Sequence, residues 1–171
     1  MDWFEYFEKG NIREKAEIDQ LIPHRHEMSF LNRISYVEEI SSLLGEVLIE
    51  EDAFWTRGHF PVPEKQNSEK FNIGPIFPGV LMVESAAQLG ICHWRDQLGF
   101  SETEKKTMVL KQVDGVKYFR DVRPGDRLLI KTSSEKSSMR LMKSKFEGVV
   151  YKIGAEKPEK CFECLIAGLS V

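Results

Sequence analysis

His59, in Gly58-His59-Phe60-Pro61, and Glu84, in Val80-Leu81-Met82-Val83-Glu84-Ser85-Ala86-Ala87-Gln88, are the two side chains best suited to shared proton-transfer chemistry. An imidazole, with a reference pKa of about 6.5, works as a base near neutral pH. Glu84 has Val80, Leu81, Ala87 and Gln88 three and four positions away, so on a helix its carboxyl shares a face with apolar groups and one amide. Burial there would raise its pKa and let it hold a proton to give away. One base and one acid suit an elimination. His59 would remove a proton next to a carbonyl while Glu84 protonates a leaving hydroxyl, each contributing about 10² to 10⁴ in rate. Negative charge then builds on the carbonyl oxygen and needs a fixed donor. At a helix start, Gly79 and Val80 carry backbone N–H groups without intrahelical partners, at the positive end of the dipole. Glycine lets a carbonyl approach, and one such donor is worth roughly 3 to 4 kcal/mol.

Plainer readings stand beside these. Glu84 on an isolated helix could lie on a solvated strip between two buried faces, and Pro78-Gly79 could simply turn the chain into the helix. What positions the candidate residues is the stretch from Pro78 to Leu98, about five turns of good helix formers closed by Gly99. Its apolar residues do not keep to one stripe, which predicts burial on nearly all sides.

Upstream, Trp3, Phe4 and Phe7 fall at helical spacing behind a possible cap, Asp2. Residues 1–20 therefore read as a short amphipathic helix and a second helical piece, an N-terminal extension to a single domain over 21–171. Strand patterns follow around residues 28 to 39 and 42 to 50. After the central helix and a polar connection over Ser101 to Lys106, more strands run over Thr107 to Phe119, Asp126 to Ser134, Met139 to Lys152 and Cys161 to Val171. Leu128 and Ile130 alternate with Arg127 and Lys131, and Leu165, Ala167, Leu169 and Val171 share one strand face. The pattern is α+β, with a sheet that must cover the helix. Val62 to Gly74, rich in Pro, Glu, Lys, Gln, Asn and Ser, reads as an exposed loop, either surface decoration or a flap beside the site.

Composition narrows the classes. A chain of 171 residues, 42% hydrophobic and 30% charged, has the length and balance of one globular domain with a sizeable core. A net charge of -3 offers no basic footprint for nucleic acid. No uncharged apolar run approaches the roughly 18 residues of a membrane span, and Met1-Asp2-Trp3-Phe4-Glu5 is unlike a secretory signal. The expectation is a cytoplasmic protein without membrane insertion. Three cysteines give no disulfide framework, and Cys161-x-x-Cys164, on a strand and with no second pair, reads as packing. His24-x-His26 lacks a third clustered ligand, so hydrogen-bonded or solvated histidines are the better reading.

Leu21-Ile22-Pro23-His24-Arg25, Gly58-His59-Phe60-Pro61, Pro75 to Gln88 and Val122-Arg123-Pro124-Gly125-Asp126 together resemble the β-hydroxyacyl-(acyl carrier protein) dehydratases of bacterial fatty acid synthesis, the FabZ type. The likeness runs from about residue 18 to the C-terminus. It implies a hotdog fold, a curved antiparallel sheet wrapped around the central helix. It also implies homodimers joined edge to edge and assembled as trimers of dimers. By the same likeness His59 is the catalytic histidine, Glu84 the catalytic carboxylate of the neighbouring chain, and Gly79 the thioester-carbonyl donor. Val80, Phe60 and Gln88 complete the substrate-binding set. The implied reaction is dehydration of a (3R)-hydroxyacyl thioester to the trans-2-enoyl thioester, with neither metal nor organic cofactor. The substrate would arrive on the phosphopantetheine arm of an acyl carrier protein, and Lys117, Arg120 and Arg123 lie in a segment that in relatives flanks the entrance, read either as an attraction for the acidic carrier or as a solvated strand edge. Glutamate at 84 resembles the plain dehydratases more than the dehydratase-isomerases. Departures are Val62 where relatives carry glycine, the insertion before Pro75, His26-Glu27-Met28, and residues 1 to 17. The alternative readings are a hotdog thioesterase and a non-catalytic acyl-thioester-binding subunit.

Overall fold

The helix predicted around Glu84 is the centre of the computed structural model, which describes residues 2–61, 73–100, 104 and 106–171. This helix, α3 (Gly79–Leu98), starts after Pro78 and stops at Gly99, whose φ of 64° and N–H bonds to the Arg95 and Asp96 carbonyls close the last turn. Met82, Ala86, Leu89, Ile91, Cys92 and Trp94 are buried, each larger side chain contributing about 1.5–3 kcal/mol. Burial on nearly all sides holds from Ser85 to Arg95 apart from Ala87, whereas Val80 in the first turn is 72% exposed and Val83, Glu84 and Ala87 are only partly covered.

Among the described residues seven strands form one sheet: β1 (Asn11–Glu14), β2 (Arg33–Val37), β3 (Ser42–Leu48), β4 (Met108–Tyr118), β5 (Arg127–Ser137), β6 (Leu141–Tyr151) and β7 (Glu159–Ser170). Their order is β1-β2-β3-β5-β6-β7-β4, and every pairing is antiparallel. In β6, Met142, Ser144, Phe146, Gly148 and Val150 alternate inward, as period two demands. Gly90 of α3 lies against Met142 and Phe146, where an added Cβ would come within 3.0 Å of both side chains, so the absence of a side chain sets the helix-to-sheet distance. A long helix held against a seven-stranded antiparallel sheet is the α+β hotdog arrangement that the sequence led us to expect.

Several local expectations need correcting. The charged stretch between α1 (Trp3–Lys9) and α2 (Lys15–Leu21) is not helical throughout but forms β1, paired with β2. The strand expected from residue 28 starts only at Arg33. A 3-10 turn over His26–Met28 intervenes, and the buried Gln88 amide bonds the Met28 carbonyl and the Phe30 N–H, diverting that backbone from the sheet. Leu128, Leu129 and Ile130 are all buried, which breaks the half-exposed alternation expected of β5. Leu129 points away from α3 and is covered by α1. Phe7 packs with Val37, Leu44 and Leu129, flanked by Trp3, Phe4 and Tyr151. Asp2 caps this helix through the Phe4 N–H at 2.9 Å. In β7 the face of Leu165, Ala167 and Leu169 is the partly open one, while Phe162, Cys164 and Ile166 are buried. A bulge in β7, opposite Gly148 and Val149, buries Cys161 along with Cys164 despite their odd spacing. Both thiols are free, and burial pushes each up to about 12, which fits packing.

Candidate active site

His59 follows a 3-10 turn over Phe54–Arg57, and its own N–H bonds the Trp55 carbonyl at 2.8 Å. Trp55 is buried edge-on against Phe77, with ring centroids 5.4 Å apart, and Phe77 also meets Phe30. These aromatic contacts tie the histidine segment to the approach to α3. The Nδ1 of His59 lies 2.7 Å from the Ile76 carbonyl oxygen. A carbonyl can only accept, so Nδ1 carries the proton and Nε2 presents its lone pair. Phe60 holds a positive φ of 58° and sets its partly exposed ring edge-on to the imidazole, centroids 4.7 Å apart.

The start of α3 is held from the other side. Phe77 N–H bonds the Val122 carbonyl at 2.7 Å, and the Arg123 guanidinium bonds the Ile73 carbonyl. The Arg123-Pro124-Gly125-Asp126 turn is closed by the Asp126 carboxylate on the Arg123 N–H and by Gly125 N–H on the Ile49 carbonyl. Leu81 and Met82 N–H groups both reach the Pro78 carbonyl. Gly79 and Val80 N–H groups have no partner among the described residues, which leaves the donor pair the sequence suggested. Beside them is a cavity of about 370 Å³ lined by Ile76, Phe77, Gly79, Met82, Tyr118 and Asp121. The Tyr118 ring stands over Gly79, where an added Cβ would meet it at 2.6 Å. Sequence reasoning missed this tyrosine.

Glu84 differs from its expected environment. Its side chain is 26% exposed, and one carboxylate oxygen accepts from Gln88 Nε2 at 2.9 Å and faces His24 Nε2 at 3.2 Å. The His24 hydrogen bond outweighs burial and, with the Gln88 bond, holds the carboxyl below the usual glutamate range. The raised pKa expected from an apolar face is therefore corrected, because the His24 ring, which local spacing does not reveal, joins the neighbouring Gln88 amide in favouring the charged form. Gln88 is buried, with its amide engaged by Phe30, Met28 and Glu84.

His59 and Glu84 are not joined by a hydrogen bond or ion pair within the protomer, among the described residues. Lys117, Arg120 and Arg123 are each paired, with Glu163, Glu159 and Asp121. Among the described residues no cluster of three metal-ligating side chains occurs and no helix is long and apolar enough to cross a membrane. The loop expected over 62–74 falls outside the described residues up to 72, as does most of the 101–106 connection.

A family model described as FabA-like domain matches residues 22–155. The 3-hydroxyacyl-[acyl-carrier-protein] dehydratase FabZ of Aliarcobacter butzleri is 32% identical over 154 residues, covering 88% of this chain and 95% of that protein. The protein of the same name from Natranaerobius thermophilus is 33% identical over 140 residues, covering 82% and 87%. Among solved structures, the dehydratase heterocomplex ApeI:P from Xenorhabdus doucetiae aligns with a TM-score of 0.59 at 17% identity over 90% of each chain. A thioesterase superfamily member from Thermus thermophilus aligns at 0.51 and 13% identity, over 76% of this chain and 80% of that one. At such identities these two structures speak for the fold alone.

Proposed function

Because the chain belongs to the FabA-like family, alongside the 3-hydroxyacyl-[acyl-carrier-protein] dehydratases, we propose that it converts (3R)-hydroxyacyl thioesters to trans-2-enoyl thioesters in fatty acid biosynthesis. The acyl chain would be carried on the phosphopantetheine arm of an acyl carrier protein. The observation that carries this reading is the fixed tautomer of His59, whose Nε2, like the N–H groups of Gly79 and Val80 on the same scaffold, has no partner among the described residues.

In the proposed reaction His59 Nε2 takes the proton from C2 and the electron pair moves toward the thioester carbonyl, whose oxygen is held by those N–H groups. The C3–O bond breaks, and the hydroxyl departs as water with a proton from Glu84. Transfer of the His59 proton back to Glu84 resets the site. The pair needs one proton in total between its members, so a resting state with a charged Glu84 still contains a reactive minor arrangement. Phe60 and Gln88 serve beside this centre, Phe60 against the imidazole and Gln88 behind the carboxylate.

The two catalytic groups would meet between chains, His59 of one protomer with Glu84 of its partner. Two open features support a second copy. The sheet ends at β4, an edge strand with exposed Val109, Leu110, Val116 and Tyr118. On α3, Val80, Val83, Glu84 and Ala87 form a partly open face at helical spacing. Residues 21–171 would be the hotdog domain and 1–20 its extension, and the resemblance supports three dimers per assembly. The three buried, unbridged cysteines suit the reducing cytoplasm.

The test is spectrophotometric. Hydration of a crotonyl thioester, the reverse reaction, removes its enoyl absorbance and releases no thiol. Thiol release without loss of the enoyl group would identify a thioesterase instead, and neither change across a ladder of acyl lengths would identify a binding subunit.

A further inference from the structure

Leu21-Ile22-Pro23-His24-Arg25 has a structural role that its residue types do not announce. Helix α2 ends at Leu21, and Pro23 prevents its continuation. The Arg25 guanidinium then folds back on the turn, bonding the Ile22 carbonyl at 2.7 Å, the His24 carbonyl at 2.6 Å and the Asp19 carbonyl at 2.7 Å. The turn so fixed presents the His24 ring to α3, with Nε2 3.2 Å from Glu84 Oε1. On the same oxygen Gln88 Nε2 donates at 2.9 Å, and Gln88 is itself pinned by the Met28 carbonyl and the Phe30 N–H. Glu84 Oε2 accepts from no described residue.

The other ring nitrogen, His24 Nδ1, is buried without a partner. This asymmetry selects a tautomer. With the proton on Nε2, the ring donates to the carboxylate and forgoes only an acceptor contact at Nδ1. With a proton on Nδ1, a buried donor would be stranded, the more costly failure. We propose that His24 is a positioning residue for Glu84, an imidazole protonated on Nε2 that with Gln88 occupies Oε1 and leaves Oε2 as the oxygen that meets the substrate hydroxyl. This role rests on the dehydratase function proposed above. Two donors converging on one oxygen fix the carboxylate plane before substrate arrives, so less orientational freedom is lost on the way to the transition state. Among the described residues, His24 is the one titratable side chain facing Glu84. The other groups around the carboxylate are Gln88, the backbone of Met28 and Phe30 beyond it, and Val80, Leu81 and Ala87 on the helix.

The experiment uses the full chain and four variants, His24→Ala, His24→Leu, His24→Gln and Glu84→Gln. Glutamate carboxyl carbons are titrated by ¹³C NMR, the Glu84 signal being assigned by its loss in Glu84→Gln. The Glu84 midpoint should rise toward the ordinary glutamate range in His24→Ala, and equally in His24→Leu, which keeps bulk in place of the ring should the smaller variant fold poorly. It should return most of the way in His24→Gln, whose amide restores a donor. An unchanged midpoint in the folded Ala or Leu variant overturns the proposal, whether or not the protein is active. In the hydration assay, His24→Ala should lower kcat about tenfold with KM within about twofold, and should add no loss in a Glu84→Gln background. Full activity of His24→Ala beside an inactive Glu84→Gln would overturn the positioning role while leaving the dehydratase standing. An inactive wild-type chain with a shifted midpoint would overturn the functional reading and, with it, the substrate-facing role of Oε2.

Discussion

His59 Nδ1 and the carbonyl oxygen of Ile76 are 2.7 Å apart, and this bond joins the base to the strap that opens α3. Ile76 precedes Phe77, whose N–H is held by Val122, and Phe77 precedes the Pro78-Gly79 start of the helix. The imidazole and the two free N–H groups therefore share one backbone scaffold. A shift of either would be felt by both, which is how a general base stays in register with an oxyanion site.

Replacement of this imidazole should be costly to turnover and cheap to the fold. His59 is half-buried and its ring makes one hydrogen bond among the described residues, so His59→Ala should retain assembly and thermal stability. The rate of crotonyl-thioester hydration should fall by about 10² to 10⁴. Near-normal kcat in a folded His59→Ala preparation would remove His59 from the chemistry.

Gly79 should tolerate no side chain while Tyr118 stays where it is. A Cβ at this position would meet two Tyr118 ring carbons and the hydroxyl oxygen between 2.6 and 2.9 Å. Overpacking of this kind costs about 1–3 kcal/mol, and the strain falls on the first turn of α3. Gly79→Ala should therefore lower kcat/KM at least tenfold, and Gly79→Ala with Tyr118→Ala should recover part of that loss. Equal activities for the single and double variants would show that the ring is not what excludes the side chain.

What could be read from the sequence follows contact range. α3 and its Gly99 stop were legible because helix formers and a terminal glycine act within a few residues. The strand expected over Met139 to Lys152, observed as β6 (Leu141–Tyr151), was legible for a similar reason, since turn residues and strand formers also act locally. The strand β1 was not, since Asn11, Arg13 and Glu14 around a single Ile12 become a strand only because β2 lies beside them. Residue types picked out His59, Glu84 and Gly79, but the environment of Glu84 was misjudged. Its controlling donor, His24, is sixty positions away, and an apolar helical face says nothing of a distant imidazole folded onto it. Tyr118 at Gly79 and Ile76 at His59 are likewise relations between separate segments.

The N-terminal helix should act as a cover for the sheet. Phe7 is fully buried against Val37, Leu44 and Leu129, and the Arg33, Arg127 and Lys131 cations lie over the Phe7, Phe4 and Trp3 rings. Phe7→Ala should cost about 3–5 kcal/mol, read as a lower chemical-denaturation midpoint. Removal of residues 2–10 should leave an open apolar patch and drive self-association in light scattering. A truncated chain as stable and as dispersed as the intact one would refute the covering role.

The pH profile should carry the mark of the Glu84 carboxylate. His24, and after it Gln88, favours the ionised form, so the folded carboxyl titrates below its ordinary range. The reactive pair holds one proton in total, and a second can be added only by protonating Glu84 beside a charged His59. The acidic limb of kcat/KM should thus fall below about pH 4.3, where an unperturbed glutamate titrates. The same sign applies to stability. A lowered folded pKa stabilises above the unfolded value, and that contribution disappears as pH falls through the lowered one. Melting curves over the same pH range separate loss of fold from loss of activity, and an acidic limb above that value in folded protein would contradict the assignment.

Mixing two inactive variants should restore activity if the centre is shared between chains. His59 and Glu84 have separate partners within the protomer, Ile76 for one, and His24 with Gln88 for the other. The exposed apolar edge of β4 and the open Val80 face of α3 offer surfaces for a second copy. In a two-fold dimer each chain gives one member to each of two sites. A heterodimer of His59→Ala with Glu84→Gln then contains one site with both substitutions and one with neither. With random exchange of equal amounts, about half the dimers are mixed and half the sites in those are intact, so roughly a quarter of wild-type activity should return. Exchange is followed independently by labelling each variant with a different fluorophore. Energy transfer without recovered activity would mean that both groups act within one chain, and the arrangement proposed between protomers would have to be abandoned.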